Sequence, residues 1–425
     1  MKIAVLSKAT RRGGGASTFA ENLADWLGGA GHEVTHFCAH TQGGFREFQR
    51  LLYPDLVRAK LCRKTHWATR KLGFAEAVPT EYFLGLAREL EPYDVVHFQD
   101  LFFAIAPQTL ELLARKKPIF FTAHDCSAYT GGCLYPLGCE RYRHGCGGCP
   151  QVTVPETESK MGMFDFTKWN FRRNARLRRN ARVHHIFPSL WLRDFARTSA
   201  GPFTSPVHHI PYGFDPRPFS YVSRAEARDR LGLIADAPIV CISSANLHFE
   251  RKGVRYGLEA IRANVDKDPL VLLVGGKDSA IEKALTGVRH WFTGYLENKD
   301  RLGLLYAAAD IFLFSTLEDN LPLSVQEAMA AGTPVVGFAT GGVPDMVTDG
   351  STGWLVPTGD QAALNRVLGE ALHDRAECAR RGERAREDVE TRFSVERCVQ
   401  AHENIYTAAL RSSRVAEETL QAQTA

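Results

Sequence analysis

Residues 310–355 read DIFLFSTLEDNLPLSVQEAMAAGTPVVGFATGGVPDMVTDGSTGWL, and this stretch decides the fold. The apolar run from Asp310 to Phe314 has the length of a buried strand, and Leu323 to Ala331 has helical composition. Gly332 ends that helix, and Pro334 to Val336 begins a second strand. The order predicts a strand-helix-strand unit of a parallel sheet, and such sheets bind ligands at the carboxyl ends of their strands.

Two acidic positions follow the first of these strands. Asp319 lies in the loop, directly after Glu318, and Glu327 lies on the helix. Carboxylates placed in this way can accept hydrogen bonds from different hydroxyl pairs of a sugar nucleotide. The backbone N–H groups of Leu323 and Ser324, at the start of the helix, would face a phosphate. The alternative is a helix-capping loop followed by a solvated glutamate.

The whole chain has the length and composition of a two-domain globular enzyme. Its 425 residues exceed what one hydrophobic core usually supports. No run of 18 or more apolar residues occurs, and the N-terminus turns polar too soon for a signal peptide, so we predict a cytoplasmic protein. Residues 1–205 contain 28 Lys and Arg against 18 Asp and Glu (+10), and the remainder contains 24 against 30 (−6). The basic half is expected to meet an anionic surface or a phosphate-bearing substrate.

Strand-like and helix-like segments alternate along the chain, which is typical of parallel sheets covered by helices. One series runs from Ile3–Leu6 to His185–Phe187, and a second runs from Ile239–Ser243 to Pro334–Phe338. We therefore predict an α/β fold with two doubly wound domains. The expected parts are an N-terminal domain at 1–210 with a cysteine-rich insertion at 126–150, a C-terminal domain at 211–392, and a helix with a frayed tail at 393–425 that packs back on the first domain.

Three further segments carry groups that suit a phosphate or a sugar. The turn after the first strand contains three consecutive glycines, which let backbone amides approach an anion: Gly13, Gly14 and Gly15. Arg251 and Lys252 follow the first strand of the second domain, where a cation can neutralise a diphosphate leaving group. His124 follows a strand of the first domain and can donate to a sugar hydroxyl. The alternatives are a flexible surface loop, solvated cations and a structural histidine.

Six segments together span most of the chain: GGGAS, FFTAHD, HHIPYGFD, ERKG, GYLENKDRLGLLYAAADIFLFSTLEDNLPLSVQEAMAAGTPVV and TGGVPDMV. They resemble glycosyltransferase family 4, a retaining class. The resemblance implies the GT-B fold, in which two Rossmann-like domains face a cleft. It extends to polysaccharide-assembling members of the family that carry a cysteine-bearing insertion.

The resemblance also implies roles for individual residues. By analogy, Gly14 would contact the donor phosphate, His124 the transferred sugar and Lys252 the diphosphate. Asp319 would hold the sugar and Glu327 the nucleotide ribose. We take His124, Asp319 and Glu327 as the candidate catalytic residues.

This chain departs from the family pattern at two positions. The family usually has Glu where this chain has Asp319, so Glu318 is an alternative contact to the sugar. The usual Arg before the phosphate-binding Lys is replaced by Leu247, and Arg251 is the expected substitute.

Five of the ten cysteines lie between residues 126 and 149. Four of them, in a glycine-rich loop, match the ligand count of tetrahedral Zn²⁺: Cys133, Cys139, Cys146 and Cys149. In a cytoplasmic chain a metal is favoured over disulfides. We therefore expect a structural zinc that holds the insertion beside His124.

Two basic stretches lie in the first domain, one at residues 58–71 around Trp67 and one at residues 168–182 around Trp169. Cationic helices with interleaved aromatic residues suit an anionic bilayer surface, and solvated helix faces are the alternative. The stretches predict peripheral contact with the inner face of the cytoplasmic membrane and a lipid-linked or membrane-proximal acceptor.

We predict a retaining glycosyltransferase of hexosyltransferase type that uses a nucleoside-diphosphate sugar as donor and a glycan or lipid-linked acceptor, in polysaccharide or glycoconjugate synthesis. The second domain would bind the donor and the first the acceptor. No catalytic metal cofactor is expected, because cationic side chains and helix N-termini would take the place of a metal. No nucleic-acid partner is expected either. One alternative is a nucleotide-sugar 2-epimerase on the same fold. The other is a zinc-stabilised nucleic-acid-binding protein, which the acidic second half disfavours.

Overall fold

The computed structural model describes residues 1–41, 44–53, 55–99, 101, 104–152, 159, 162–219, 222–233, 236–244 and 249–424. Leu247 lies outside the described residues. The chain forms two compact units: Met1–Gly213 with Val395–Ala425, and Phe214–Ser394.

The first unit is built on a parallel sheet. Its strands are β1 (Lys2–Ala9), β2 (Glu33–His40), β3 (Gln49–Leu51), β4 (Val95–Phe98), β5 (Ile119–Thr122), β6 (Val183–Phe187) and β7 (Val207–His209). They lie in the order β3-β2-β1-β4-β5-β6-β7. Its helices before the second unit are α1 (Gly15–Gly29), α2 (Leu56–Leu72), α3 (Ala87–Glu89), α4 (Pro107–Ala114), α5 (Thr167–Asn174) and α6 (Leu190–Thr198). Strands β4 and β5 are fully buried and mostly apolar, as expected for a sheet covered on both faces.

The second unit repeats this plan with six strands. They are β8 (Ile239–Ser243), β9 (Leu270–Val274), β10 (His290–Gly294), β11 (Ile311–Phe314), β12 (Val335–Phe338) and β13 (Gly353–Val356), in the order β10-β9-β8-β11-β12-β13. Its helices are α7 (Arg224–Leu231), α8 (Val254–Ala263), α9 (Ser279–Ala284), α10 (Lys299–Ala308), α11 (Leu323–Ala330), α12 (Val343–Met346), α13 (Gln361–His373) and α14 (Arg375–Arg392). The C-terminal helix α15 (Val395–Thr424) belongs to the first unit.

The predicted α/β class with two doubly wound parallel sheets is confirmed. In each sheet the strand order reverses beside the first strand, between β1 and β4 in one unit and between β8 and β11 in the other. Parallel sheets bind ligands at this reversal, at the carboxyl ends of the strands. In each unit, the carboxyl ends of the strands beside this reversal are therefore the expected position of a ligand site.

Two details differ from the sequence-based expectation. Helix α1 begins at Gly15 rather than at Thr18, because the glycine turn leads directly into it. The backbone of α15 is helical to Thr424 rather than frayed, consistent with the Ala, Glu, Leu and Gln content of the tail. Helical structure in the 126–150 insertion consists of two short turns, Ser127–Tyr129 and Arg141–His144. In the part of the chain described, no helix has the length and apolar character needed to cross a bilayer.

Candidate active site

A compact ion cluster lies after strands β8 and β11, which are neighbours in the sheet. Arg251 and Lys252 belong to the short helical turn that precedes α8, and Asp319 lies in the loop after β11. Lys252 Nζ donates to Asp319 Oδ2 over 2.8 Å, and Arg251 Nη1 donates to the same oxygen over 3.1 Å. The second carboxylate oxygen accepts the backbone N–H of Asn320 at 3.0 Å. Two cations thus share one carboxylate, which leaves the cluster with a net positive charge.

The protonation state of Asp319 follows from this arrangement. Burial by itself would raise the pKa of the carboxyl, but the charges and hydrogen bonds of Lys252 and Arg251 outweigh burial and lower the pKa to about 2. Asp319 is therefore ionised at neutral pH and bound to both cations. Arg251 also donates to the backbone carbonyl of Glu318 over 2.8 Å, so the acidic loop and the cationic turn are connected at two points.

The loop after β12 supports the acidic loop from the other side. Gly341 adopts a positive φ of 54°, and a Cβ atom at this position would lie 1.7 Å from the carbonyl oxygen of Asp319. Only glycine fits so close to another backbone. The next residue, Gly342, donates its N–H to the same carbonyl over 3.1 Å. The GG pair of the TGGVPDMV segment therefore fixes the backbone that carries Asp319.

Glu327, the second predicted acid, is buried on α11. Its carboxylate forms an ion pair with Lys299 at the start of α10, and it accepts a hydrogen bond from the Tyr306 hydroxyl at 3.4 Å. Leu323 and Ser324 form the first turn of α11, where backbone N–H groups point out of a helix. The half-buried side chain of Glu318 lies on the loop between β11 and this helix. The structure thus places Glu318, Asp319, Glu327 and the start of α11 on one strand-loop-helix unit, as predicted.

In the first unit, the predicted glycine turn lies between β1 and α1. Gly14 has a positive φ of 104° and directly precedes the helix, and added bulk at Gly14 would meet no atom within 4 Å. The N-terminus of the 15-residue helix α1 is therefore approachable by an anion. Arg11, on the same turn, pairs with the buried Glu21 at 3.3 Å, so its charge is partly committed within the unit.

His124 follows β5 and is held at both ring nitrogens. Its Nε2 lies 3.0 Å from Gln99 Oε1, which can only accept, so Nε2 carries the proton. Its Nδ1 then accepts from the Tyr212 hydroxyl at 2.5 Å. Burial lowers the pKa of His124 to about 3. The ring is therefore neutral and fixed, which suits a residue that shapes a site better than one that exchanges protons.

His97, on the neighbouring strand β4, belongs to the same network. Gln99 Nε2 lies 3.0 Å from His97 Nε2, and His97 Nδ1 lies 2.7 Å from the Tyr406 hydroxyl on α15. His97 is buried, and burial lowers its pKa well below the ordinary value. It is a structural residue that connects the C-terminal helix to the partners of His124.

The four cysteines of the insertion line one small cavity of about 20 Å³. They are not joined by disulfides. Burial raises the pKa of Cys133, Cys146 and Cys149, although all three are partly exposed, so these thiols remain protonated unless a cation stabilises the thiolate. Among the His, Cys, Asp and Glu side chains that the structure describes, no group of three or more is arranged to hold a metal ion. The structure gathers the four residues, including Cys139, but does not support the zinc site, which stays a prediction.

Two family models together match most of the chain. The model of the Glycosyltransferase Family 4 matches residues 13–217, and the model of Glycosyl transferases group 1 matches residues 224–388. The chain belongs to glycosyltransferase family 4. Its sulfoquinovosyl transferase relative from Arabidopsis thaliana is 36% identical over 151 residues, which is 34% of this chain and 29% of that protein. This chain likewise matches less than two thirds of the length of two further relatives, of which it covers 32% and 44%.

Solved structures show the same fold as this family 4 chain. Sucrose-phosphate synthase from Thermosynechococcus elongatus superposes with a TM-score of 0.72 at 22% identity, covering 97% of this chain and 99% of that one. HepE from Anabaena, in complex with UDP-glucose, superposes with a TM-score of 0.66 at 17% identity, covering 96% and 100%. The GT-B class predicted from sequence is confirmed.

Sequence reasoning missed several partners of the site residues in this family 4 chain. They are Lys299 and Tyr306, which contact Glu327, and Gln99 and Tyr212, which contact His124. Lys299 lies in the quoted GYLENKDRLG segment, and Tyr212 in HHIPYGFD. Both segments supported the family resemblance, but nothing in their local pattern showed which acid or histidine they would reach.

Proposed function

We propose that this family 4 glycosyltransferase transfers a sugar, with retention of anomeric configuration, from a nucleoside-diphosphate sugar to a glycan or lipid-linked acceptor. The observation that carries the proposal is the cluster of Arg251, Lys252 and Asp319 after β8 and β11. Cleavage of the donor leaves negative charge on a diphosphate, and preorganised cations in a partly buried site stabilise developing charge strongly. Family membership also favours a transferase over the zinc-stabilised nucleic-acid-binding alternative.

The two acids take different roles in this proposal. Asp319 already holds both cations, so we assign it as a positioning residue that fixes Lys252 and Arg251 for the diphosphate. Glu318, next to it on the loop, is then the acid assigned to the sugar hydroxyls. Glu327 is assigned to the ribose, whose hydroxyls would compete with Lys299 and Tyr306 for its oxygens. The Leu323 and Ser324 amides and the glycine turn at Gly13, Gly14 and Gly15 supply further contacts to phosphate.

Retention is proposed to proceed on one face of the sugar. Asp319 is bound by two cations and Glu327 by Lys299, so neither acid is placed as a free nucleophile. In the proposed step the bond between the anomeric carbon and the diphosphate oxygen breaks as the acceptor oxygen attacks from the same face. The acceptor proton passes to the leaving phosphate. His124, neutral and fixed, is assigned to contact with the transferred sugar rather than to proton transfer.

A donor screen with and without acceptor tests the proposal. The protein is incubated with a panel of nucleoside-diphosphate sugars and with oligosaccharide or lipid-linked acceptors, and nucleoside diphosphate release and product anomeric configuration are followed by NMR. We expect release that depends on acceptor, with the configuration retained, and a loss of at least about a hundredfold in Lys252→Gln. Acceptor-independent conversion of the donor would establish the 2-epimerase instead. Inverted product would refute retention.

A matched substitution controls for non-specific damage to the second unit. Asp266 is an exposed acid that pairs with the adjacent Lys267 at 3.1 Å, away from the carboxyl ends of β8 and β11. Asp266→Asn should transfer at the parent rate. If Asp266→Asn and Lys252→Gln lose activity equally, the assigned site is not responsible.

A further inference from the structure

Helix α2 turns large apolar side chains toward solvent. Val57 is 76% exposed, Leu56 71% and Trp67 58%, and Leu61 and Leu72 are also exposed. Scattered exposed apolar residues are ordinary on protein surfaces, but five on one helix of 17 residues form a concentrated patch. The patch needs an explanation that the sugar-nucleotide site does not give.

The opposite face of α2 is firmly packed, so the exposed face does not arise from loose docking. His66 is buried and lies 3.1 Å from the buried carboxylate of Glu81. Arg70 is buried and donates to both carboxylate oxygens of Glu76. Ala59 and Cys62 complete the buried stripe. The helix therefore presents its apolar residues to solvent in a fixed orientation.

A second segment extends the patch beyond the end of α2. The Met163 N–H donates to the carbonyl of Lys71 over 2.9 Å, and Gly162 and Phe164 approach the backbone around Gly73. Met163 is 52% exposed and Phe164 is 55% exposed. Trp169 is also exposed, and its ring lies 5.2 Å from that of Phe74, just after the end of α2, so three apolar side chains continue the patch of the helix. In the described part of the chain, this surface holds eight of the sixteen strongly exposed large apolar side chains.

The same surface is strongly cationic. Helix α2 contains six Lys and Arg residues and no Asp or Glu, and all of these cations except the buried Arg70 are exposed. Each residue of an α-helix is rotated by about 100° from the one before it. Around the helix axis, Trp67 therefore lies on one side and Val57 and Leu61 on the other, and between them lie three lysines: Lys60, Lys64 and Lys71. An open depression beside them is lined by His40, Lys60, Arg63, Lys64 and Trp67. An anionic partner is therefore complementary in charge, and the exposed aliphatic side chains require that this partner also has an apolar interior.

The second basic stretch predicted from sequence is only partly exposed. Arg173 is buried and donates to the carbonyl of Glu76 and to Asn174, and burial lowers its pKa to about 10. Arg178 is buried and donates to the carbonyls of Ser199 and Ala200. These two cations are used inside the first unit. Exposed cations also remain in this stretch beside Trp169: Lys168, Arg172, Arg176 and Arg179.

We propose that α2, together with Met163, Phe164 and Trp169, is a docking face for an anionic lipid bilayer. Aliphatic and aromatic side chains at the level of the headgroups would enter the interface, while the lysines contact lipid phosphates and their alkyl stems follow the apolar surface. A soluble acidic polysaccharide offers the negative charge but no apolar phase for Leu56, Val57, Leu61 and Phe164. The docking face does not depend on the proposed transferase chemistry.

Vesicle flotation of the full chain tests the proposal. We expect the protein to float with vesicles that contain 30% phosphatidylglycerol in phosphatidylcholine, and to stay in solution with pure phosphatidylcholine. Lys60→Gln with Lys64→Gln should weaken binding by about thirtyfold, and Val57→Ser with Leu61→Ser by about tenfold or more. Raising the salt concentration should weaken binding of the parent protein. All four side chains are at the surface, so the melting temperature should be unchanged.

Two controls keep the outcome decisive. Leu190→Ser removes an exposed leucine from α6, and Lys277→Gln removes an exposed cation from the second unit, and neither should change flotation. Equal flotation of the parent and both double variants would overturn the proposal. So would failure of the parent to bind anionic vesicles, including the case in which it binds a soluble acidic polysaccharide instead. Transfer to a soluble acceptor should be unaffected by the double variants, which separates this result from a failure of the proposed function.

Discussion

Replacing Asp319 by Asn removes one negative charge from between two cations while keeping the shape of the side chain. In the folded protein the pKa of Asp319 is about 2, against an ordinary value of 3.8. At 1.36 kcal/mol per pH unit, the difference corresponds to roughly 2 kcal/mol of folding stability. Asp319→Asn should therefore lower the free energy of unfolding of the second unit by about 2 kcal/mol at pH 7.

The pH dependence of that loss has a definite sign. Because the folded-state pKa is depressed, the stabilisation is fully present above about pH 4 and disappears as the pH falls toward 2. Urea unfolding of parent and variant should thus differ most at neutral pH, and the difference should shrink by roughly half near pH 3. Equal stability at pH 7, or a difference that grows on acidification, would refute the reasoning.

The same substitution tests whether Asp319 positions the cations or contacts the sugar. Calorimetry gives the dissociation constants of a nucleoside diphosphate and of its sugar derivative. If Asp319 only organises Lys252 and Arg251, Asp319→Asn changes both constants by the same factor and leaves their ratio unchanged. Glu318→Gln should change the ratio, because it affects only the ligand that carries a sugar. The reverse pattern would return the sugar contact to Asp319.

Three further predictions follow from the structure. In competition binding, Glu327→Gln should weaken the affinity for a nucleoside diphosphate by about tenfold and leave the affinity for inorganic diphosphate unchanged, because Glu327 is assigned to the ribose. An equal loss of affinity for both ligands would contradict that role. Since burial lowers the pKa of His124 to about 3, the pH profile of transfer should contain no inflection near pH 6.5 that is due to His124; an inflection there that the Gln99→Leu variant lacks would contradict this. Gln99→Leu should still lower kcat, because the His124 ring loses the partner of its Nε2 atom. Metal analysis of protein purified in reducing buffer should give about one zinc per chain if the four cysteines hold a metal, and a trace amount would end that prediction.

The fold and the backbone frame of the site could be predicted from sequence because their signals are local. The apolar run before Ser315, the glycine after α11 and the apolar restart at Val335 define a strand, a helix and a strand without reference to the rest of the chain. Parallel sheet geometry then brings the ends of β8 and β11 together, which is why Lys252 and Asp319 could be placed at one edge.

Side-chain pairing could not be predicted in the same way. Glu327 pairs with Lys299 across 28 residues, and His124 with Tyr212 across 88, and such contacts depend on how helices pack. The basic stretch at residues 168–182 shows the same limit, because its sequence does not reveal that Arg173 and Arg178 point inward. The sequence gives the number of charged residues, but only the structure shows which of them are exposed and able to contact a partner.

The central claim is that the cluster at Lys252 holds the diphosphate of a nucleotide-sugar donor, and saturation-transfer NMR across a panel of nucleotide sugars tests it most directly. We predict that at least one member receives saturation on its base, ribose and sugar protons, that the corresponding nucleoside diphosphate displaces it, and that Lys252→Gln abolishes the signal while Asp266→Asn retains it. A panel with no binder, or a Lys252→Gln variant that binds as well as the parent, would contradict the account.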